Sequence, residues 1–230
     1  MVNIKRHIEF DLRLRENPYK GCYVVLEGTE GSGKTTQVEK LKEYFESKGR
    51  EVVTTREPRK EGLIGDMVHK VLLGKLDMNP VAFQYLFSAD RMLNHADVVE
   101  PALKDGKVVI SDRSFWSAIV YGVLDKDQEY SKSNVDRLLV TQSVLSFYHQ
   151  FIVPDFTIYL KIPLDISMKR IAQERKQAAE IYEKEDKIQK VIKGYDELFS
   201  EFSDTVTEID GTKSVDVVTS EIVKVVGKKI

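Results

Sequence analysis

A glycine-rich loop that ends in Gly-Lys-Thr is the most constraining feature of this chain: Gly28-Thr29-Glu30-Gly31-Ser32-Gly33-Lys34-Thr35 satisfies the G-x-x-x-x-G-K-[ST] pattern in full. The pattern is short enough to arise by chance, so its flanks decide. Before it, Tyr23-Val24-Val25-Leu26 is an apolar run with the character of a buried strand, and after it Val38, Leu41 and Phe45 recur at helical spacing. Strand, loop and helix in that order define a phosphate-binding loop. An ordinary glycine-rich turn would leave the Gly-Lys-Thr ending unexplained.

The chemistry follows from the order of residues. Glycines at 28, 31 and 33 let the backbone bend closely, so that successive N–H groups point at phosphate oxygens. The helix that begins near Lys34 adds its positive end to the same place. Lys34 is expected to reach the β- and γ-phosphates, and Thr35 to offer its hydroxyl to magnesium. The whole stretch from Gly28 through Thr29, Glu30, Gly31, Ser32 and Gly33 to Thr36 forms the expected nucleotide cradle.

At 230 residues the chain is long enough to bury a substantial core as one domain. A net charge of −2, from 35 basic and 37 acidic residues, gives no sign of a surface for a nucleic acid polymer, so positive sites must be local. The single cysteine, Cys22, excludes an internal disulfide and reads as a small core residue. No apolar run approaches the ~18 to 20 residues that span a bilayer, and the N-terminus lacks the apolar centre of a signal peptide, which points to no membrane partner and to the cytoplasm. Residues 1–20 are charged and mixed, and they read as a packed helix, a flexible arm or a partner contact. Residues 21–230 read as a single domain.

Along the chain, Gly49 stops the first helix and Glu51-Val52-Val53-Thr54-Thr55 reads as a second strand. A helix is expected over Glu61 to Leu73, closed by Gly74. Asn79-Pro80 is a strong start signal for the next, which carries Phe83, Phe87, Asp90 and Arg91. A third strand over Lys107 to Ser111 places Asp112-Arg113 at its carboxyl end, the edge where open α/β sheets bind ligands. Helices are expected over Phe115 to Tyr121 and Val135 to Phe151, then a fourth strand over Phe156 to Leu160. Leu164, Met168 and Ile171 mark a helix. Ile188, Val191, Ile192, Tyr195, Leu198, Phe199 and Phe202 mark a longer one. A short strand over Val206 to Ile209 and a last amphipathic helix with Val218, Ile222 and Val225 complete an α/β fold: a five-stranded parallel sheet with helices on both faces.

Four stretches, in this order and spacing, resemble the thymidylate kinase family of phosphate-loop nucleoside monophosphate kinases: Leu26 to Gln37, Thr55-Arg56-Glu57-Pro58, Leu86-Phe87-Ser88-Ala89-Asp90-Arg91, and Ser111-Asp112-Arg113 continuing to Ser117 and Tyr121-Gly122. The resemblance runs from about Tyr23 to the C-terminus. It implies ATP as phosphoryl donor, Mg2+ as cofactor, dTMP as acceptor and a homodimer packed through helices. It also implies that Arg113 holds the acceptor phosphate, that Phe87 stacks on thymine and that Arg91 bonds the base edge. Glu30 would contact the sugar 3′-hydroxyl, Tyr121 would crowd the 2′ position, and Arg56 and Pro58 would border the acceptor. Ser117 would contribute to selectivity, and Asp112 would orient water on the magnesium. A phenyl face suits any flat base, so selectivity has to come from Arg91, Ser117 and the shape near Tyr121. Read without the resemblance, Phe87 is also a candidate core residue, because Phe83 shares its helix face.

The chain departs from the family pattern in two places. Arg59-Lys60-Glu61-Gly62 follows Pro58 where many members have two glycines, which offers Arg59 or Lys60 as an extra cation for the acceptor phosphate. Gly31-Ser32 leaves the loop without the arginine that some members carry, and such members supply one from a mobile lid. The lid is expected near residues 174–187, with Arg175 as its working cation. Ile181 stands where the family's lid pattern has arginine. Other readings are a kinase for another deoxynucleotide or a nucleoside, and a nucleotide-binding regulator without turnover.

Overall fold

A computed structural model describes residues 14–130, 150–174 and 182–227. Five strands, β1 (Cys22–Glu27), β2 (Val52–Arg56), β3 (Val108–Asp112), β4 (Phe156–Lys161) and β5 (Val206–Asp210), form one sheet in the order β2-β3-β1-β4-β5. Every pairing is parallel. β1 is buried at all six positions because helices cover both of its faces, whereas the edge strands β2 and β5 are only partly covered.

Side-chain alternation divides the core into two layers. Cys22, Val24 and Leu26 of β1 point to one face. There they pack with Val108, Ile110, Ile158 and Leu160 against Leu41 and Phe45 of α1 (Lys34–Ser47) and Val218 and Ile222 of α8 (Val215–Val226). Tyr23 and Val25 point to the other face, toward Val99, Leu103, Val109 and Ile152. Three further helices border this second layer: α3 (Pro80–Asn94), α5 (Phe115–Tyr130) and α7 (Glu185–Glu201).

The remaining helices are α2 (Leu63–Leu72), α4 (Glu100–Lys104) and α6 (Leu164–Glu174). Between α3 and α4 the residues His95–Val99 form a π-helical turn that the sequence reading does not anticipate. The Asn79 side chain caps α3 by accepting from the Ala82 N–H at 3.3 Å. α5 runs nine residues beyond the expected end at Tyr121. Of the helix expected over Val135 to Phe151, residues 135–149 lie outside the described residues, and Gln150 and Phe151 are not helical. No helix among the described residues is long and apolar enough to cross a membrane.

The described part of the N-terminal segment is tied down. Arg15 bridges to Ile152 in parallel fashion, and its guanidinium pairs with Glu100 at 2.9 Å. The Tyr19 hydroxyl donates to the same carboxylate at 2.7 Å, and Asn17 Nδ2 donates to Asp155 at 2.7 Å. Of the three readings offered for residues 1–20, a free arm does not describe residues 15–19.

Candidate active site

The phosphate loop joins β1 to α1 at the carboxyl edge of the sheet, between β3 and β4. Two of its glycines are required by space as well as by angle. At Gly28 (φ 147°) an added Cβ would lie 2.7 Å from Ser32 Oγ and 2.8 Å from the Leu160 carbonyl oxygen. At Gly31 (φ 71°) it would lie 2.9 Å from the Ser167 carbonyl oxygen. α6 supports the loop from outside: Ser167 Oγ donates to the Glu30 carbonyl at 2.7 Å, and Arg170 Nη1 to that of Gly31 at 3.2 Å.

Lys34 folds back over the loop, its Nζ donating to the Thr29 carbonyl at 2.8 Å and to Ser32 Oγ at 3.4 Å. Burial, with the Arg113 guanidinium nearby, pushes its ammonium down to about 8. Such a cation gains strongly from any anion brought into the loop. Thr35 Oγ1 donates to Asp112 Oδ2 at 2.7 Å, which joins the loop to the end of β3. Thr36 is exposed on the first turn of α1, and the Thr29 hydroxyl is buried without a partner.

Beside the loop lies a cavity that encloses about 600 Å³ of space, part of it open to solvent. Glu30, Arg56, Pro58 and Phe87 line it together with Arg91, Arg113, Ser117 and Tyr121, so all eight residues expected around an acceptor share one wall. Arg113 (φ 77°) is held at the junction of loop and cavity. Its Nη2 pairs with Glu30 Oε1 at 2.6 Å, its Nη1 donates to the Gly28 carbonyl at 2.9 Å, and its guanidinium lies 5.3 Å from the centre of the Tyr121 ring. Tyr121 donates to Glu30 Oε2 at 3.0 Å. Burial acts to raise the Glu30 carboxyl, but Arg113 and Lys34 outweigh it and hold it below the usual carboxylate range.

Phe87 is half-buried and packs 4.6 Å from the ring of Phe83, so its core role and its place on the cavity wall coexist on one helix. Arg91, one turn on, is buried beside Glu57 with a short contact from its Nε, while its Nη2 donates to the Ser114 carbonyl at 3.3 Å. Burial raises the Glu57 carboxyl against the opposing pull of Arg91.

Several groups were not singled out from sequence. Glu57, His69, Gln84 and Tyr182 also line the cavity, and Tyr182 packs edge-on against Tyr121 at 5.0 Å. Arg56 Nε and His69 Nε2 are buried with no hydrogen-bond partner among the described residues, a costly state that a polar ligand would relieve. Glu27, fully buried at the end of β1, accepts from the Ser114 N–H and hydroxyl, from Ser117 Oγ and from the Tyr195 hydroxyl. Of the two extra cations offered, Arg59 or Lys60, neither is among the residues that line the cavity, and the Arg59 guanidinium and backbone N–H both bind Asp90, at 3.0 and 2.8 Å. Arg175 and Ile181 lie outside the described residues.

A phosphate loop on the central strand, with an arginine-lined cavity directly beside it at the sheet's carboxyl edge, has the layout of a phosphate-loop nucleoside monophosphate kinase. The chain belongs to the thymidylate kinase family, whose model matches residues 26–222. It is 32% identical over 209 residues to the thymidylate kinase of Clostridium novyi, covering 88% of this chain and 97% of that one. With the enzyme of Thermosipho africanus it shares 34% over 212 residues, covering 90% and 98%. Its fold matches the solved structure of Candida albicans thymidylate kinase with a TM-score of 0.74 at 22% identity, covering 90% and 92% of the two chains.

Proposed function

We infer that this protein is a thymidylate kinase, which transfers the γ-phosphoryl group of ATP to dTMP and yields dTDP and ADP. The observation that carries the reading is the cavity beside the phosphate loop, where the Phe87 ring, the Arg91 fork and the Arg113 guanidinium meet. Phe87 offers a stacking face for the base and Arg91 offers donors to a carbonyl on its edge. Arg113, between loop and cavity, binds the acceptor phosphate. Glu30 accepts from the sugar hydroxyl, and Tyr121, tied to Glu30, limits space at the neighbouring position. Arg56 and Pro58 border the acceptor, with Ser117 beside the base.

An oxygen of the acceptor phosphate forms the new bond to the γ-phosphorus as the bond from that phosphorus to the β-bridging oxygen breaks. A phosphate monoester loses its second proton near pH ~6, so at neutral pH the nucleophile is already ionised and no general base is needed. The protein's part is positioning and charge: Lys34 and the loop N–H groups hold the donor, and Arg113 neutralises the acceptor. The residues fit Mg2+, because Thr35 and Asp112 present two hydrogen-bonded oxygens beside Lys34, the hard donors this ion takes together with substrate phosphates. When bound, the ion neutralises charge on the donor phosphates. Arg175, in the lid over residues 174–187, is assigned as a further cation on the transferred group.

The homodimer is supported by α3, which exposes Tyr85 (58%), Met92 (45%) and Leu93 (38%) along one helical face. Residues 21–230 form the kinase domain, residues 1–20 an extension, and the reaction is placed in the cytoplasm. The test is ADP release with ATP and magnesium for dTMP, dUMP, dCMP, dGMP, thymidine and the ribose form of TMP at equal concentration. Preference for dTMP is expected. A preference for another acceptor overturns the base and sugar assignments, and no turnover with any of them overturns the kinase reading.

A further inference from the structure

Tyr195 sits at the centre of α7, fully buried, with its ring stacked 5.4 Å from Tyr159 and 5.5 Å from Phe199. Those contacts require only a phenyl ring. The hydroxyl makes contacts of a different kind. It donates to Glu27 Oε2 at 2.9 Å, receives a hydrogen bond from Arg113 Nη1 at 3.0 Å, and lies 2.8 Å from Ser117 Oγ. Ser117 Oγ in turn donates to Glu27 Oε2 at 2.7 Å. One oxygen therefore connects three elements: the end of β1, the start of α5, and the arginine that follows β3.

We propose that Tyr195 is a positioning residue for phosphoryl transfer, its hydroxyl fixing the direction of the Arg113 guanidinium toward the acceptor phosphate. This rests on the reading of Arg113 as the cation that binds that phosphate. The chain of donors has one consistent direction. The Arg113 guanidinium can only donate, so the Tyr195 oxygen accepts from it and the Tyr195 proton is left for the Glu27 carboxyl, which also accepts from Ser114 and Ser117. Burial raises the Tyr195 hydroxyl well above the usual tyrosine range, which keeps that proton in place. The remaining holds on Arg113 are the Gly28 carbonyl and Glu30, which belong to the phosphate loop itself, and a longer bond from Nη1 to Ser117 Oγ at 3.3 Å. Tyr195 is the shorter of the two holds that come from outside the loop, and its hydroxyl also touches the other, Ser117 Oγ, at 2.8 Å.

Removing the hydroxyl while keeping the ring separates the two roles. Tyr195→Phe is expected to lower kcat roughly tenfold, since small displacements of a positioning cation are costly to rate. KM for ATP should stay within about twofold, and the melting temperature should change little. Arg113→Asn, a residue that tolerates the left-handed backbone here, should be far slower. Adding Tyr195→Phe to it should change turnover no further, because the hydroxyl then has no guanidinium to aim. Wild-type kcat in Tyr195→Phe, or a full further loss in the double variant, overturns the proposal. Wild-type turnover in Arg113→Asn instead overturns the reading of Arg113 beneath it.

Discussion

The two faces of the sheet are built from the same strands, and both bury apolar side chains, but they differ in how much polar material they hold. On the α1 and α8 face, Val24, Leu26, Leu41, Ile158 and Ile222 form a continuous apolar layer. On the other face the same strands bury Glu27, Ser111 and Thr157, and the helices above add Asp90, Arg91, Asn94, Ser114 and Ser117. Buried polar groups are costly unless partnered, and most of these are: Arg91 with Glu57, Arg113 with Glu30, Tyr195 and Ser117 with Glu27, Thr55 with Asn94. The first face supplies stability mainly by apolar burial. The other accepts a network that favours specific geometry, and that network ends at the cavity.

The contrast can be broken from either side. The largest effect on rate is expected on the polar face, where Arg113→Asn should lower turnover by ~10³ or more, by analogy with the removal of a phosphate-stabilising arginine, and should also lower the melting temperature because Glu30 loses its partner. Steady-state ADP release beside a melting curve reads both. On the apolar face Ile222→Ala should cost ~2 to 5 kcal/mol in denaturant unfolding and leave kcat at 25 °C unchanged. A change in kcat there would mean that the layers are not separable.

A smaller effect depends on pH. Burial pushes the His95 imidazole down to about 4, with Glu100 opposing and Arg15 assisting, and its Nε2 accepts from the Ile152 N–H at 2.9 Å. Between the unfolded value near 6.5 and about 4 the unfolded chain therefore binds the proton that the folded one refuses. This part of the stability is complete above pH ~6.5 and is lost as pH falls toward 4, a difference of roughly 3 kcal/mol. His95→Gln, whose amide oxygen can still accept, should flatten the profile across that window.

Much of this was legible in the sequence, and the limits have a physical cause. The strands were visible as apolar runs because all but the edges are buried on both faces, and Gly49 and Gly74 end their helices with φ of 78° and 65°. The phosphate loop and eight of the residues that line the cavity could be named from sequence because each belongs to a local motif, whereas His69 and Gln84 belong to none. What stayed hidden were partnerships between distant residues. Arg59 looked free for a phosphate until the fold set Asp90 beside it. Tyr195 read as one more aromatic on an apolar helix face, which is true of its ring and misses its hydroxyl, whose partner Glu27 lies 168 residues away. The π-helical turn at His95–Val99 has no sequence signature in a 3.6-residue pattern.

The most direct measurement is the rise in melting temperature caused by a fixed, saturating concentration of dTMP, taken for the wild type, Ile222→Ala and Phe87→Ala, each against its own ligand-free value. A ligand that binds only the folded state stabilises it by ~2.7 kcal/mol at a hundred times its Kd. If the polar face makes the acceptor site, Ile222→Ala melts lower yet keeps the full dTMP shift, and Phe87→Ala loses most of it with the stacking contact. No shift in the wild type, or an undiminished shift in Phe87→Ala, would contradict the assignment of this cavity to the acceptor.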